Sequence, residues 1–190
     1  MAGKLAGMGF TDPPYRVKVS GHVCGNGRVQ HRKFAKASGE MSSAEFADFL
    51  IAIFRNGAGH SRAGAVWYVC IDWRHLPEMH VAGKAVFDTW INLCVWARTN
   101  GGIGSLYRSQ HELICVFRAG HTGHRNNVQL SRFGRNRTNV WTYPGVNTFR
   151  EGRMEELQAH PTAKPVEMVK DALLDVSSPG DVVLDPFMGA

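Results

Sequence analysis

The tetrapeptide Asp12-Pro13-Pro14-Tyr15, which follows the apolar stretch Met8-Gly9-Phe10, constrains the fold more than any other part of the chain. Each proline fixes φ near about −65° and removes a backbone N–H, so a strand cannot continue through the pair. The residue before each proline is pushed towards extended geometry. The pattern therefore predicts a strand at residues 7–11 that ends in a stiff loop carrying one carboxylate and one aromatic ring.

The groups on this loop suit one kind of ligand. Open α/β sheets place their ligand sites at the carboxyl ends of the strands, where this loop is predicted to lie. The Asp12 carboxylate and the Pro13 carbonyl can accept two N–H bonds, and the Tyr15 ring can stack on a flat surface. These are the groups needed to hold a planar base that bears an exocyclic amino group.

A second informative stretch lies near the other end of the sequence. The segment His160-Pro161-Thr162-Ala163-Lys164-Pro165 precedes an apolar-periodic stretch at 166–176. After it come Val182-Val183-Leu184 and Asp185-Pro186-Phe187-Met188-Gly189-Ala190. The three apolar residues indicate a buried parallel strand, and a small-residue turn after it allows backbone to approach a ligand closely. Lys164 can meet the carboxylate of an amino-acid-like cofactor.

Taken together, these two segments resemble the amino-group DNA methyltransferases, which methylate adenine N6 or cytosine N4. That family combines an Asp-Pro-Pro-Tyr catalytic motif with a His-Pro-Thr-x-Lys-Pro and Asp-Pro-Phe-x-Gly region for S-adenosylmethionine (SAM). The catalytic motif comes first here, which is the order of the permuted beta class. The resemblance implies an α/β fold, a Rossmann-like methyltransferase sheet with an Arg-rich irregular insertion. It divides the chain into a catalytic part (1–118), a target-recognition segment (119–153) and the start of a SAM-binding region (154–190).

The resemblance also assigns roles to individual residues. The catalytic set is Asp12, Pro13, Pro14 and Tyr15, acting on a base flipped out of duplex DNA. The cofactor set is Phe10, Thr11, His160, Thr162, Lys164, Asp185, Pro186, Phe187 and Gly189. An initial Asp favours adenine over cytosine, because relatives that act on cytosine more often begin the motif with serine.

The chain stops at Ala190, where the family continues with a second glycine, a helix, a strand and an acidic residue for the cofactor ribose. We therefore expect a fragment truncated within the SAM-binding motif. This leaves open an alternative function, a catalytically inactive DNA-binding fragment of such an enzyme. A third reading is a methyltransferase acting on RNA or on a protein amide, although such relatives tend to have Asn in place of Asp12.

The positive charge is concentrated in one segment. Residues 98–153 contain nine arginines, no lysine and two acids, which gives this segment a charge of +7. The net charge of the whole chain is +6, so the remaining residues together carry −1. Arginine binds phosphate and guanine edges in a bidentate manner, so this segment favours contact with duplex DNA over a merely solvated loop. The predicted DNA-binding residues are Arg108, Arg125, Arg132, Arg135, Arg137 and Trp141, although Trp141 and Tyr143 suit loop packing equally well.

Periodicity predicts the remaining elements. A capping box at Ser42 and Glu45 starts a helix that ends near residues 57–59, and residues 65–72 form a central strand. Residues 74–88 form a helix with Pro77 in its first turn. Two strands at 91–97 and 113–117 follow, then a mostly irregular 119–153, a helix at 165–176 and a strand at 181–185. Asp72 either lines the pocket or caps the helix that follows it.

Composition excludes several classes. No apolar run reaches the ~20 residues of a membrane span, no signal peptide is evident, and the four cysteines form no C-x-x-C pair. These features favour a reducing cytoplasm, and the resemblance implies a bacterial or phage-type protein associated with the nucleoid. The spacing of His22, Cys24 and His31 matches no standard zinc pattern, so no metal is predicted. The expected partner is duplex DNA, not a membrane, and the resemblance allows a homodimer and a cognate restriction nuclease.

Overall fold

The computed structural model describes residues 3–15, 41–102, 104, 106–132, 134–145 and 164–188. Within these residues, six strands form one mixed sheet. They are β1 (Ala6–Thr11), β2 (Ser61–Ile71), β3 (Thr89–Ala97), β4 (His111–Ala119), β5 (Val140–Thr142) and β6 (Val183–Leu184). The described part of the chain also contains three α-helices: α1 (Ser43–Gly59), α2 (Leu76–Val86) and α3 (Val166–Val176). The order across the sheet is β5-β3-β4-β2-β1-β6.

Five of the six strands run in the same direction, and this brings their carboxyl ends to one edge. Strand β1 is parallel to both β2 and β6, and β5 is parallel to β3. Strand β4 lies antiparallel between β2 and β3. The segments that follow Thr11, Ile71, Ala97, Thr142 and Leu184 therefore share one edge with the start of β4. We call this edge the carboxyl edge, and the opposite one the amino edge.

Helices cover both faces of the sheet. Helices α1 and α2 pack with one face, around residues such as Phe46, Trp67 and Phe117. The second core contains Met168 and Ala172 of α3 together with residues such as Tyr68. Alternate side chains of β2 enter opposite cores, as the pleat of a strand requires. This three-layer arrangement is the α/β class that the sequence predicts.

The central strand places a large ring where only glycine can face it. The Trp67 side chain is fully buried, and its indole Nε1 donates to the Ser61 hydroxyl at 3.1 Å. A Cβ atom on Gly9 or on Gly57 would come within 2.4 Å of that ring. Gly9 of β1 and Gly57 of α1 are therefore fixed by close packing on Trp67, and not by turn geometry.

The predicted elements agree with the structure at most positions. The capping box is present: the Glu45 N–H donates to the Ser42 hydroxyl at 3.3 Å, and the Ser42 N–H donates to the Glu45 carboxylate at 2.7 Å. Strand β2 begins four residues earlier than predicted, and a 3₁₀ turn (Trp73–His75) precedes α2. The expected long loop at 16–41 lies almost entirely outside the described residues.

One strand was not predicted. Residues 119–153 were expected to be mostly irregular, yet Val140–Thr142 forms β5 and pairs with β3. Three residues are too few to show the alternation that identifies a strand from sequence. Pairing with Val95, Trp96 and Ala97 supplies what local sequence lacks. The described part of the Arg-rich segment thus supplies an outermost strand of the sheet.

None of the helices in the described ranges has the length and apolar character that crossing a membrane requires.

Candidate active site

The loop after β1 places the Asp12 carboxylate at the carboxyl edge of the sheet. Asp12 directly follows Thr11, the last residue of the strand, and its side chain retains 22% exposure. Pro13 is buried behind it, which fixes the loop against the core. The Tyr15 hydroxyl folds back and donates a hydrogen bond to Asp12 Oδ1. The loop therefore carries an acceptor and an aromatic ring side by side, as predicted.

Lys164 reaches the same carboxylate from the segment just before α3. Its ammonium Nζ lies 2.6 Å from Asp12 Oδ2 and 3.2 Å from Glu112 Oε2, and the side chain is only 7% exposed. The rings of Tyr15 and Trp96 lie 5.5 and 6.0 Å from this ammonium. A buried ammonium needs this degree of pairing, because an isolated one would be far more stable in water.

Glu112, at the start of β4, is a candidate functional residue to which sequence reasoning gave no role. Its side chain is 15% exposed, and its Oε1 lies 3.3 Å from Arg98 Nη1. Glu112 pairs across the hairpin with Trp96, near which the two strands end. Glu112 is the one acid between Asp88 and Glu151 in the sequence, and this isolation at a strand start is the signal that could have identified it.

Burial and charge together set the protonation of this cluster. Burial raises the pKa of Asp12, and the Glu112 charge adds to that rise while Lys164 opposes it. Burial raises the pKa of Tyr15 well above its usual range, with Asp12 and Glu112 acting in the same direction. Burial works against the charge on Lys164, but the two carboxylates outweigh it and raise the Lys164 pKa. Tyr15 is therefore neutral and Lys164 charged at neutral pH.

The predicted cofactor residues divide into three groups: those at the carboxyl edge, which include Lys164, one core residue, and those outside the described residues. Thr11 is fully buried and donates its hydroxyl to Asp185 Oδ1 at 2.8 Å, so it joins the ends of β1 and β6. The Phe187 N–H also donates to Asp185 Oδ1, at 2.9 Å, and the Phe187 ring lies 6.0 Å from Phe49. Asp185, Pro186 and Phe187 thus form an ordered turn at the carboxyl edge.

Phe10 does not fit the prediction. It is 6% exposed and packs in the second core, with its ring 6.1 Å from Tyr68, so it is a core residue in this structure. Its position within β1 explains this, since alternate side chains of a central strand are covered. His160, Thr162 and Gly189 lie outside the described residues.

Two of the predicted DNA-binding arginines are already neutralised. Arg135 Nη2 and Arg137 Nε lie 2.5 and 3.0 Å from the two oxygens of Asp175, a buried residue of α3. Arg137 Nη1 lies 3.2 Å from Asp171, and it also donates to the Tyr143 hydroxyl at 2.9 Å. These pairs attach the Arg-rich segment to α3. The structure therefore assigns Arg135 and Arg137 a packing role, which contradicts the predicted contact with phosphate.

The other three predicted arginines are exposed but lie in different places. Arg125 donates to the Ser178 hydroxyl at 2.5 Å, just before β6 begins, and so lies at the amino edge, opposite Asp12. Arg132 is in the exposed turn along the segment. Arg108 lies in the connection from β3 to β4, at the carboxyl edge, and donates to the carbonyls of Gly102 and Gly101 at 2.9 and 2.7 Å. Of the three, the structure brings Arg108 to the edge that carries Asp12.

Trp141 is buried, which contradicts the predicted stacking on DNA bases. It is 5% exposed, its ring lies 5.8 Å from Tyr68, and its Nε1 donates to the Thr138 carbonyl at 3.0 Å. The Arg137 guanidinium lies 4.9 Å from the ring. The alternative reading, in which the aromatic residue fixes its own segment, is the one the structure confirms.

Asp72 caps the turn that follows β2. Its carboxylate accepts from the His75 N–H at 3.2 Å and approaches the His75 ring nitrogen to 2.5 Å. Next to it, Trp73 is 54% exposed, and the Arg74 guanidinium lies 4.7 Å from the Trp73 ring. This pair of exposed residues lies at the carboxyl edge. Within the described ranges, no cluster of three or more His, Cys, Asp or Glu side chains could hold a metal ion.

The fold and this edge define a class, an α/β protein whose first strand is followed by a loop with a carboxylate and an aromatic ring. The sequence model of the N6_N4_Mtase family, described as DNA methylase, matches residues 7–190. The chain belongs to that family of N6 and N4 DNA methyltransferases.

Three known proteins show how far the similarity extends. The DNA adenine methyltransferase YhdJ of Escherichia coli K12 is 46% identical over 52 residues, which are 27% of this chain and 16% of that protein. The cytosine-N4-specific PvuII DNA methyltransferase matches in structure with a TM-score of 0.64 and 12% identity, over 97% of this chain and 69% of that one. The M1.HpyAVI–SAM complex matches with a TM-score of 0.61 and 14% identity, over 99% and 74%. The two structures share the fold.

Proposed function

We propose that this chain transfers a methyl group from SAM to the exocyclic amino group of adenine, in preference to cytosine, in duplex DNA. The base is flipped out of the helix and held at the carboxyl edge. The observation that carries this proposal is the Asp12 carboxylate, fixed after β1 by Lys164 at 2.6 Å and flanked by the Tyr15 ring. The adenine preference rests on Asp at position 12 and on the similarity to YhdJ, which is named a DNA adenine methyltransferase.

The side chains at the carboxyl edge fit SAM in chemistry. SAM carries an amino-acid group that binds charged partners, a ribose whose hydroxyls bind a carboxylate, and a flat base that packs on an apolar surface. Asp185 and Phe187 supply a carboxylate and a ring in one turn, and Lys164 supplies an ammonium. We assign these three residues to the cofactor, Lys164 while it also pairs with Asp12. When bound, the cofactor supplies an electrophilic methyl group on a sulfonium.

The mechanism assigned to the chain's own residues is one of positioning. Asp12 and the Pro13 carbonyl accept the two amino hydrogens and so direct the nitrogen lone pair towards the methyl group. Holding two reactants in line removes much of the entropic barrier, so no covalent enzyme intermediate is required. After the new bond forms, the nitrogen must lose a proton. Burial raises the pKa of Asp12, which makes this carboxylate a suitable acceptor.

Entry of the base requires one rearrangement. The Tyr15 hydroxyl bonds to Asp12 Oδ1, and the same hydroxyl lies 3.4 Å from Glu112 Oε2. An incoming amino group needs the Asp12 oxygens, so we expect it to displace the Tyr15 hydroxyl. The freed ring then stacks on the face of the base. Flipping itself costs a few kcal/mol of stacking and pairing energy, at the order of magnitude known for such enzymes.

Transfer of a labelled methyl group to DNA tests the proposal. The 190-residue chain is incubated with SAM labelled in its methyl group and with genomic DNA from cells that lack DNA methylation, which removes the need to know the target sequence. We expect the label in duplex DNA and not in added RNA or protein. Label in RNA or protein would favour the third reading of the sequence.

The control for this test is binding. If the chain retains DNA but transfers no label, and calorimetry shows no SAM binding, the chain is the inactive DNA-binding fragment that the sequence also allowed. Homodimer formation, a cognate restriction nuclease and a cytoplasmic location remain predictions of the family resemblance.

A further inference from the structure

We propose that Glu112 is a positioning residue for the proposed methyl transfer, which anchors the Lys164 ammonium so that Lys164 keeps Asp12 in its base-holding orientation. The inference rests on the proposed function of Asp12 and extends it to a residue in a separate strand. Glu112 does not touch the base in this account. It acts through Lys164, which lies 3.2 Å from Glu112 and 2.6 Å from Asp12.

The geometry shows a chain of alternating charges. Arg98 lies 3.3 Å from Glu112 Oε1, Glu112 Oε2 lies 3.2 Å from Lys164, and Lys164 lies 2.6 Å from Asp12. Two cations and two carboxylates balance, so each charge in this cluster has the partner that a buried charge requires. Each Glu112 oxygen thus faces its own cation, and the side chain is held from two directions.

The need for a second anchor follows from what Asp12 must do. When the Asp12 carboxylate accepts the amino hydrogens of a base, its interaction with the Lys164 ammonium weakens, because both compete for the same oxygens. Without Glu112, Asp12 would be the one carboxylate of the described residues that pairs with the Lys164 ammonium, at a site where this side chain is 7% exposed. Glu112 holds Lys164 independently of Asp12, and Trp96, its partner across the hairpin, places a ring near the same ammonium.

The titratable groups around Asp12 come from several neighbouring elements. Tyr15 lies on the same loop as Asp12, Glu112 on β4, Lys164 before α3 and Cys70 on β2. Asp185, which follows β6, acts on Cys70 by raising its pKa. Of these, Glu112 raises the Asp12 pKa and Lys164 lowers it. Replacing Glu112 by glutamine removes one of the two carboxylates that, among the described residues, pair with Lys164, and it leaves Asp12 paired with that ammonium. The Asp12 pKa should therefore fall.

The test is Glu112→Gln, with Glu167→Gln as the matched control. Glu167 is 67% exposed on α3 and pairs with Lys170. It has no part in the proposed cluster. The Asp12 carboxyl is followed by carbon-detected NMR titration, assigned with Asp12→Asn. We expect a lower Asp12 pKa in Glu112→Gln and no change in Glu167→Gln. An unchanged or higher Asp12 pKa in Glu112→Gln overturns the proposal. This readout requires no methyl transfer, so it is independent of the proposed function.

Kinetics give the second readout where the wild-type chain transfers methyl groups. We expect Glu112→Gln to lower kcat about 10- to 100-fold, the scale of a mispositioned reactive group, with the KM for DNA unchanged. The acid limb of the pH profile should move to lower pH, because the carboxylate form of Asp12 then persists further into acid. Glu112→Asp, which keeps the charge, should recover part of kcat. If Glu112→Gln lowers stability alone, with kcat and acid limb unchanged in the folded protein, Glu112 is merely structural.

Discussion

Replacing Asp12 by alanine is expected to abolish methyl transfer while DNA binding is retained. The carboxylate is the group that orients the amino nitrogen, and loss of one preorganised polar group of this kind typically costs about 100- to 1000-fold in kcat. Asp12 is at the end of β1 and contacts Lys164 and Tyr15, not the exposed arginines. The measurement is single-turnover transfer of a labelled methyl group, alongside DNA affinity by fluorescence anisotropy.

Asp12→Asn is the matched variant, because it keeps the shape of the side chain. Lys164 retains Glu112 at 3.2 Å, so the pocket keeps one anion for its ammonium and should remain folded. We expect asparagine to be almost as inactive as alanine, since an amide offers one acceptor oxygen in place of two. Loss of DNA binding together with activity in both variants would contradict this division of roles.

Removing the positive charges of Arg74 and Arg108 is expected to weaken DNA binding and to flatten its dependence on salt. Both residues are exposed at the carboxyl edge that carries Asp12. Each phosphate contact contributes about 0.9 to the slope of log K against log salt, so the double glutamine variant should lose roughly 1.8 from that slope. The measurement is DNA affinity at several salt concentrations.

Arg125→Gln is the control for this experiment. It removes one charge from an equally exposed arginine, but that residue lies at the amino edge, beside Ser178. We expect its salt slope to equal that of the wild-type protein. A smaller salt slope for Arg125→Gln, with an unchanged slope for the double variant, would place the DNA at the amino edge. That result would refute the assignment of the carboxyl edge.

The parts of the fold that depend on local sequence were predictable. The loop at Asp12 follows from two prolines, and the start of α1 follows from the capping box at Ser42. Strand β2 follows from an apolar run that only a central strand can bury. In each case the deciding pattern lies within a short stretch of the chain, which is why one sequence is sufficient.

The parts that were missed depend on distant partners. Arg137 looks like a DNA-binding residue until Asp171 and Asp175, 34 and 38 positions away, are placed beside it. Glu112 and Lys164 meet only because β4 and the segment before α3 converge on one edge. Periodicity carries no information on such pairings, so the charge pattern overestimated the DNA surface and underestimated the active-site cluster.

Identification of the methylated nucleoside tests the central claim most directly. Unmethylated genomic DNA is treated with the chain and with SAM that carries a deuterated methyl group, then digested to nucleosides and analysed by mass spectrometry. We expect N6-methyldeoxyadenosine carrying the three deuterium atoms of the label, and its absence in Asp12→Ala. Labelled methyl on cytosine N4 alone would contradict the adenine assignment, and label on a ring carbon would contradict the role of Asp12 as the acceptor of amino hydrogens.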